Sequence, residues 1–93
     1  MLNTQRPRQV AGYQVADRES LSGELVLFHP EREQILYSNP TGALIWGLCD
    51  GRQTVADIVR LLSDSYPDAS PAIAADVEEA LAAFDRHGAI EWV

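Results

Sequence analysis

A single cysteine, Cys49, excludes an internal disulfide, and two solitary histidines, His29 and His87, with scattered carboxylates give no metal-ligand spacing. No glycine-rich phosphate loop is present. No apolar run approaches the length of a signal-sequence core or a membrane span, so the expectation is a cytoplasmic chain with no membrane partner. Positive charge is scarce: 7 basic side chains stand against 14 acidic ones, a net charge of -7. Such a surface repels phosphates and attracts cationic segments, which argues against nucleic acid as a partner. Ser20 and Ser22 flank Leu21 in an expected hairpin loop with no acid or base poised beside them. Cys49 lies among apolar residues at a helix end, the setting of a structural thiol. The sequence therefore offers no catalytic constellation, no metal site and no cofactor, and is not read as an enzyme.

The chain is long enough for one core and no more: 93 residues bury roughly two-thirds of their unfolded surface. A hydrophobic content of 46% against 23% charged is that of a globular domain. Met1 to Gly12 stands apart, polar and aperiodic, with Arg6 and Arg8 around Pro7. It reads as a flexible or loosely docked arm (1–12) ahead of a folded unit (13–93).

The densest local signals lie between Ser38 and Val59. Asn39-Pro40 is a capping residue followed by proline at the first helical position, where its missing N–H costs nothing. The helix so begun runs to Cys49, and Asp50-Gly51 stops it. Thr54 caps a second helix with Val55, Ile58, Val59 and Leu62 at helical spacing. A third helix starts at Ser70-Pro71 and ends before Gly88, with Ile73, Val77, Ala80, Leu81 and Phe84 on one stripe. Ahead of these, Tyr13 to Arg18, Glu24 to His29 and Gln34 to Ser38 read as strands. The apolar run Leu25 to Phe28 suits a central strand covered on both faces. On the third strand Ile35 and Tyr37 share one face and Leu36 the other. Ala89 to Val93 is a short extended tail. The expected fold is α+β and winged helix-turn-helix-like: a three-stranded antiparallel sheet followed by three helices.

In such a meander the strand Gln34 to Ser38 is an edge, with unpaired backbone groups on one side. Trp46 falls off the stripe of Leu44, Ile45, Leu48 and Cys49. It either lies partly exposed, as an anchor for another protein, or packs under a loop or the arm.

The pattern NPTGALIWGLCDGRQTVADI, the later Asp76-Val77 and the Arg86-His87-Gly88-Ala89-Ile90 ending resemble the PqqD family over about residues 13 to 93. These are small leader-peptide-binding proteins named from pyrroloquinoline quinone biosynthesis, whose fold is also the precursor-peptide recognition element of ribosomally made natural products, lasso peptides among them. The resemblance implies a non-catalytic peptide chaperone. It would bind the leader of a precursor peptide as an added strand beside Gln34, Ile35, Leu36, Tyr37 and Ser38, in a groove against the last helix. It would present that peptide to a radical-SAM or peptidase-type enzyme. On the helix, Val77, Ala80 and Phe84, with Leu36 opposite, would supply apolar surface. Ala83 and Ala80 share a shoulder with Asp76, which would pair a Lys or Arg of the peptide. Ala74, Ala75 and Ala82 form the opposite shoulder, and the sequence leaves both open. Alanine also favours helices, and acid favours a helix N-terminus, without any ligand. Two other functions fit the element order or the size. A winged-helix DNA-binding or general protein-interaction module is the alternative, and Asp76, Glu78, Glu79 and Asp85 against only Arg86 on the third helix oppose its DNA-binding form. An acyl or peptidyl carrier would need a serine where Thr54-Val55 stands.

Overall fold

The computed structural model describes residues 2–15 and 25–93. Five strands and three helices follow in the order β1 (Pro7–Gln9), β2 (Gln14–Val15), β3 (Leu25–His29), β4 (Gln34–Ser38), α1 (Pro40–Leu48), α2 (Val55–Ser65), α3 (Ser70–Arg86) and β5 (Ile90–Trp92). A 3-10 turn, Pro67–Ala69, links α2 to α3. The domain is thus α+β with antiparallel sheets. One sheet has the order β2-β3-β4, and a second joins β1 to β5. Of the strand expected over Tyr13 to Arg18, Gln14–Val15 is formed. Residues 16–18, the Ser20-Leu21-Ser22 loop and Glu24 lie outside the described residues.

The helix boundaries follow from local chemistry. Asn39 Oδ1 accepts from the Gly42 N–H at 2.7 Å, with Pro40 next to it. After Cys49 the chain turns at Gly51, whose φ of 79° is costly for residues with a Cβ, while Asp50 Oδ1 accepts from the N–H groups of Arg52 and Gln53. Those bonds hold the Asp50 carboxyl below the usual range, the Arg52 bond most of all. Thr54 and Asp57 close a reciprocal capping box, each side chain accepting from the other's backbone N–H at 3.0 Å.

The N-terminal segment, read from the sequence as a loose arm, is held on several sides. Its carbonyls at Gln5 and Asn3 accept from the N–H groups of Val55 and Ala56, at 3.0 and 3.1 Å. Those are among the first-turn donors that α2 cannot satisfy itself, so the arm completes the cap that Thr54 begins. Beyond it, β1 pairs antiparallel with β5, Arg8 opposite Glu91, and their side chains form an ion pair.

The core gathers Leu25, Leu27 and Leu36 from the sheet, Ile45 and Trp46 from α1, Ile58 and Leu62 from α2, and Ile73, Val77, Leu81 and Phe84 from α3. One expectation needs correction. The Leu25–Phe28 run is not covered equally on both faces: Leu25, Leu27 and His29 are buried, whereas Val26 and Phe28 are half-buried. Of the two alternatives for Trp46 the structure shows the packed one, with only 5% of the residue exposed. Its ring sits edge-on to Phe84 with centroids 5.3 Å apart, and Gln9 Nε2 of the arm donates to its carbonyl at 2.8 Å.

Candidate functional site

Strand β4 forms its ladder with β3 along all five residues, from Leu25 opposite Ser38 to His29 opposite Gln34. Among the described residues no strand pairs with its other side. Alternate residues of an antiparallel strand point their N–H and C=O groups away from the partner, so this side presents backbone donors and acceptors.

Helix α3 stands across from that edge, running the opposite way. At one end, the Tyr13 hydroxyl lies 3.1 Å from Gln34 Oε1 and 3.0 Å from the His87 carbonyl, while Arg32 Nη1 donates to the Gly88 carbonyl at 3.1 Å. These contacts tie the β3–β4 turn to the C-terminus of α3. At the other end, Ser38 and Asn39 approach Asp76. The lengths match: five strand residues span about 13 Å and the helix from Asp76 to His87 about 16 Å.

Between the two lies a trough of about 210 Å³ lined by Tyr37, Ser38 and Asn39 on one wall and Asp76, Glu79, Ala80 and Ala83 on the other. The alanines keep the helix wall low. Tyr37 and Ile35 project from the same face of β4, 70% and 51% exposed. Asp76 and Glu79 stand one helical turn apart, and among the described residues neither forms an ion pair. Two carboxylates and a row of backbone groups can accept and donate hydrogen bonds, but they make no nucleophile-base pair.

The structure thus brings together Tyr37, Ser38, Asp76, Ala80 and Ala83 of the residues singled out from sequence. Ile35 stands beside them, and Gln34 marks the closed end. Leu36, Val77 and Phe84 belong elsewhere. Leu36 is buried, and Val77 and Phe84 expose no surface. Their side chains fill the core under the trough, so the expectation that they supply open apolar surface is corrected. Asn39 and Glu79 were missed as lining residues. Glu79 carried a readable signal, being three residues beyond Asp76 on the same shoulder. Asn39 did not, because capping accounted for it fully. On the opposite shoulder Ala74 lines a separate hollow with Asn3, Val55 and Glu78.

Cys49 is inert. Burial first, and the Asp50 carboxylate second, push its thiol up to about 12, and Sγ lies 3.2 Å from the Ile45 carbonyl, the acceptor of its S–H. Among the described residues, no helix is long and apolar enough to cross a membrane, and no three His, Cys, Asp or Glu side chains cluster to hold a metal ion.

Residues 24–90 match the family model described as coenzyme PQQ synthesis protein D, PqqD. Among solved structures the chain resembles "TbiB1 in Complex with the TbiA(beta) Leader Peptide". The TM-score is 0.69 at 20% identity, over 90% of this chain and 94% of that one, a likeness of fold. No curated protein matches the sequence.

Proposed function

This chain belongs to the PqqD family, and we propose that it captures the leader of a ribosomally synthesised precursor peptide as a strand added to β4. It then presents the peptide to a separate modifying enzyme, without performing chemistry itself. The observation that carries this reading is the unpaired edge of β4 facing the Asp76–Ala83 shoulder of α3 across an open trough. TbiB1, which shares the fold, is a protein seen with a leader peptide. The three-stranded sheet followed by three helices supports a winged helix-turn-helix-like description, and a cytoplasmic setting suits a partner of newly made peptides. A radical-SAM enzyme or a leader peptidase is the class of enzyme that would receive the peptide.

Magnitudes favour a peptide held by both walls. About four backbone bonds at 0.5–1.5 kcal/mol each give only a few kcal/mol, and ordering the peptide consumes much of that. A micromolar complex needs about 8 kcal/mol. The remainder must come from side chains: apolar groups against Tyr37, Ile35 and the alanines, and a Lys or Arg against Asp76 and Glu79. The same carboxylates oppose the DNA-binding alternative, since a duplex would bring phosphates to an acidic helix.

The test is a calorimetric titration with the leader of any short precursor peptide encoded beside the gene, a scrambled leader serving as control. Saturable binding of the true leader, weakened about tenfold or more by Asp76→Lys with the fold intact, is the expected result. Equal binding of both peptides, or none, would overturn the reading.

A further inference from the structure

The trough beside β4 does not stop at Asp76. On its far side a second hollow of about 310 Å³ opens between α1, the end of α2 and the start of α3, and Asp76 lines both. The other wall is continuous as well: Tyr37, Ser38 and Asn39 of the first hollow lead directly into Pro40 and Thr41 of the second. The character of the walls changes at that point. Beyond Asp76 the lining is Pro40, Leu44, Leu62, Tyr66 and Ile73, with Thr41 and Asp76 as the polar members. Leu44 and Tyr66 are 45% and 50% exposed, so the hollow has an apolar rim that folding leaves uncovered.

We infer that this hollow is a second pocket for the same bound peptide, taking one bulky apolar side chain just beyond the residue that faces Asp76. The inference rests on the leader-binding reading and adds to it the identity and position of a recognised side chain. Two observations select the occupant. The hollow shares Asp76 with the trough and adjoins it along the other wall, so a chain lying along β4 that continues past Ser38 and Asp76 reaches it. The Asp76 carboxylate at its mouth, with Glu79 one turn back along the trough and a chain of net charge -7, favours a cationic residue there. From Asp76 back to Ile73 and Ala69, α3 covers about 5–10 Å. An extended peptide crosses that distance in about one to three residues. The chemical class recognised is therefore a basic residue followed or preceded, within about three positions, by an aliphatic or aromatic one.

Nested synthetic fragments of any short precursor peptide found encoded beside the gene, titrated into the wild-type protein and into Leu44→Glu and Tyr66→Ser, test this. Both substitutions fall on half-exposed side chains and leave the core intact. The wild type is expected to lose tenfold or more in affinity when the fragment is cut back past its apolar residue. The two variants are expected to bind the longer fragment no better than the shorter. Equal affinity of wild type and both variants for the longer fragment, within twofold, would overturn the second pocket while leaving the trough as the binding site. Absence of binding by every fragment would overturn both readings. Self-association of the free protein that Leu44→Glu abolishes would assign the hollow to a second copy instead.

Discussion

Strands β1 and β4 are two short segments of the same backbone chemistry put to opposite ends. The first has only three residues and begins with a proline, yet both its sides are occupied. On one side lies β5. On the other, the Gln9 N–H donates to the Cys49 carbonyl at 3.0 Å and the Pro7 carbonyl accepts from Gly51 at 2.9 Å. The second has five regular residues and a full ladder on one side, with an open edge on the other among the described residues. Strand length and regularity therefore do not indicate whether an edge is closed. What decides it is whether the chain supplies a neighbour. Among the described residues it closes the edge that braces the α1–α2 turn and supplies no neighbour to the one beside α3.

The largest break in this comparison is removal of residues 2–9. Four backbone bonds to the Cys49–Gly51 turn and the start of α2 disappear with the β1–β5 ladder, about 2–6 kcal/mol in those bonds alone. The expected fall in melting temperature is 10 °C or more by calorimetry. A change below about 3 °C would mean that the closed edge is incidental. Cys49 reports the same event chemically: iodoacetamide at neutral pH should leave the thiol unmodified in the intact protein and alkylate it once the arm is gone. Because burial pushes its folded pKa up to about 12, above the ordinary thiol value of 9.0 that holds in the unfolded chain, the intact protein should lose stability as pH rises from 9 toward 12.

Gly42→Ala tests the join between the open edge and α1. An added Cβ would collide with Ser38 Oγ and meet Ser38 Cβ at 2.8 Å, and no rotation of Ser38 clears the second contact. A cost of about 1–3 kcal/mol by denaturant titration is expected, with weaker peptide binding because Ser38 lines the trough. Thr54→Ala removes one half of a cap that the arm supplements, and should cost about 1 kcal/mol. Combined with the arm deletion it should cost more than the sum, since α2 then loses both sources of acceptors. The smallest effect on stability belongs to the open edge itself. Tyr37→Ser should change unfolding free energy by less than about 0.5 kcal/mol and still weaken peptide binding measurably. An equally large effect on both would make β4 a structural edge rather than a receiving one.

The parts legible from sequence were those whose causes are local. Asn39-Pro40, Asp50-Gly51 and Thr54 each act within three or four residues, and the helix boundaries followed from them. The meander was legible in the apolar run Leu25 to Phe28 and in Leu36 set between Ile35 and Tyr37 on the following strand. Strand β1 was not: three residues show no period, and the partner of Arg8 is Glu91, at the far end of the chain. For Trp46 the sequence left exposure and packing both open, and the structure decides for packing because α1 is buried on more than one face, with Gly42, Ile45 and Trp46 all enclosed. In the trough, Tyr37, Ser38, Asp76, Ala80 and Ala83 followed from an edge strand and a helix shoulder. Leu36, Val77 and Phe84 were misplaced because apolar periodicity marks what a fold consumes, and a binding surface is made of what it leaves over.

The ties from Tyr13 and Arg32 to His87 and Gly88 give the trough one shut end and one that runs on past Asp76. A strand lying there has a fixed stop at Gln34 and free passage beyond Ser38. Under the proposed function the protein would work as a gauge, in which distance along a guest chain is counted from the stop, and whatever emerges at the open end would do so at a set offset.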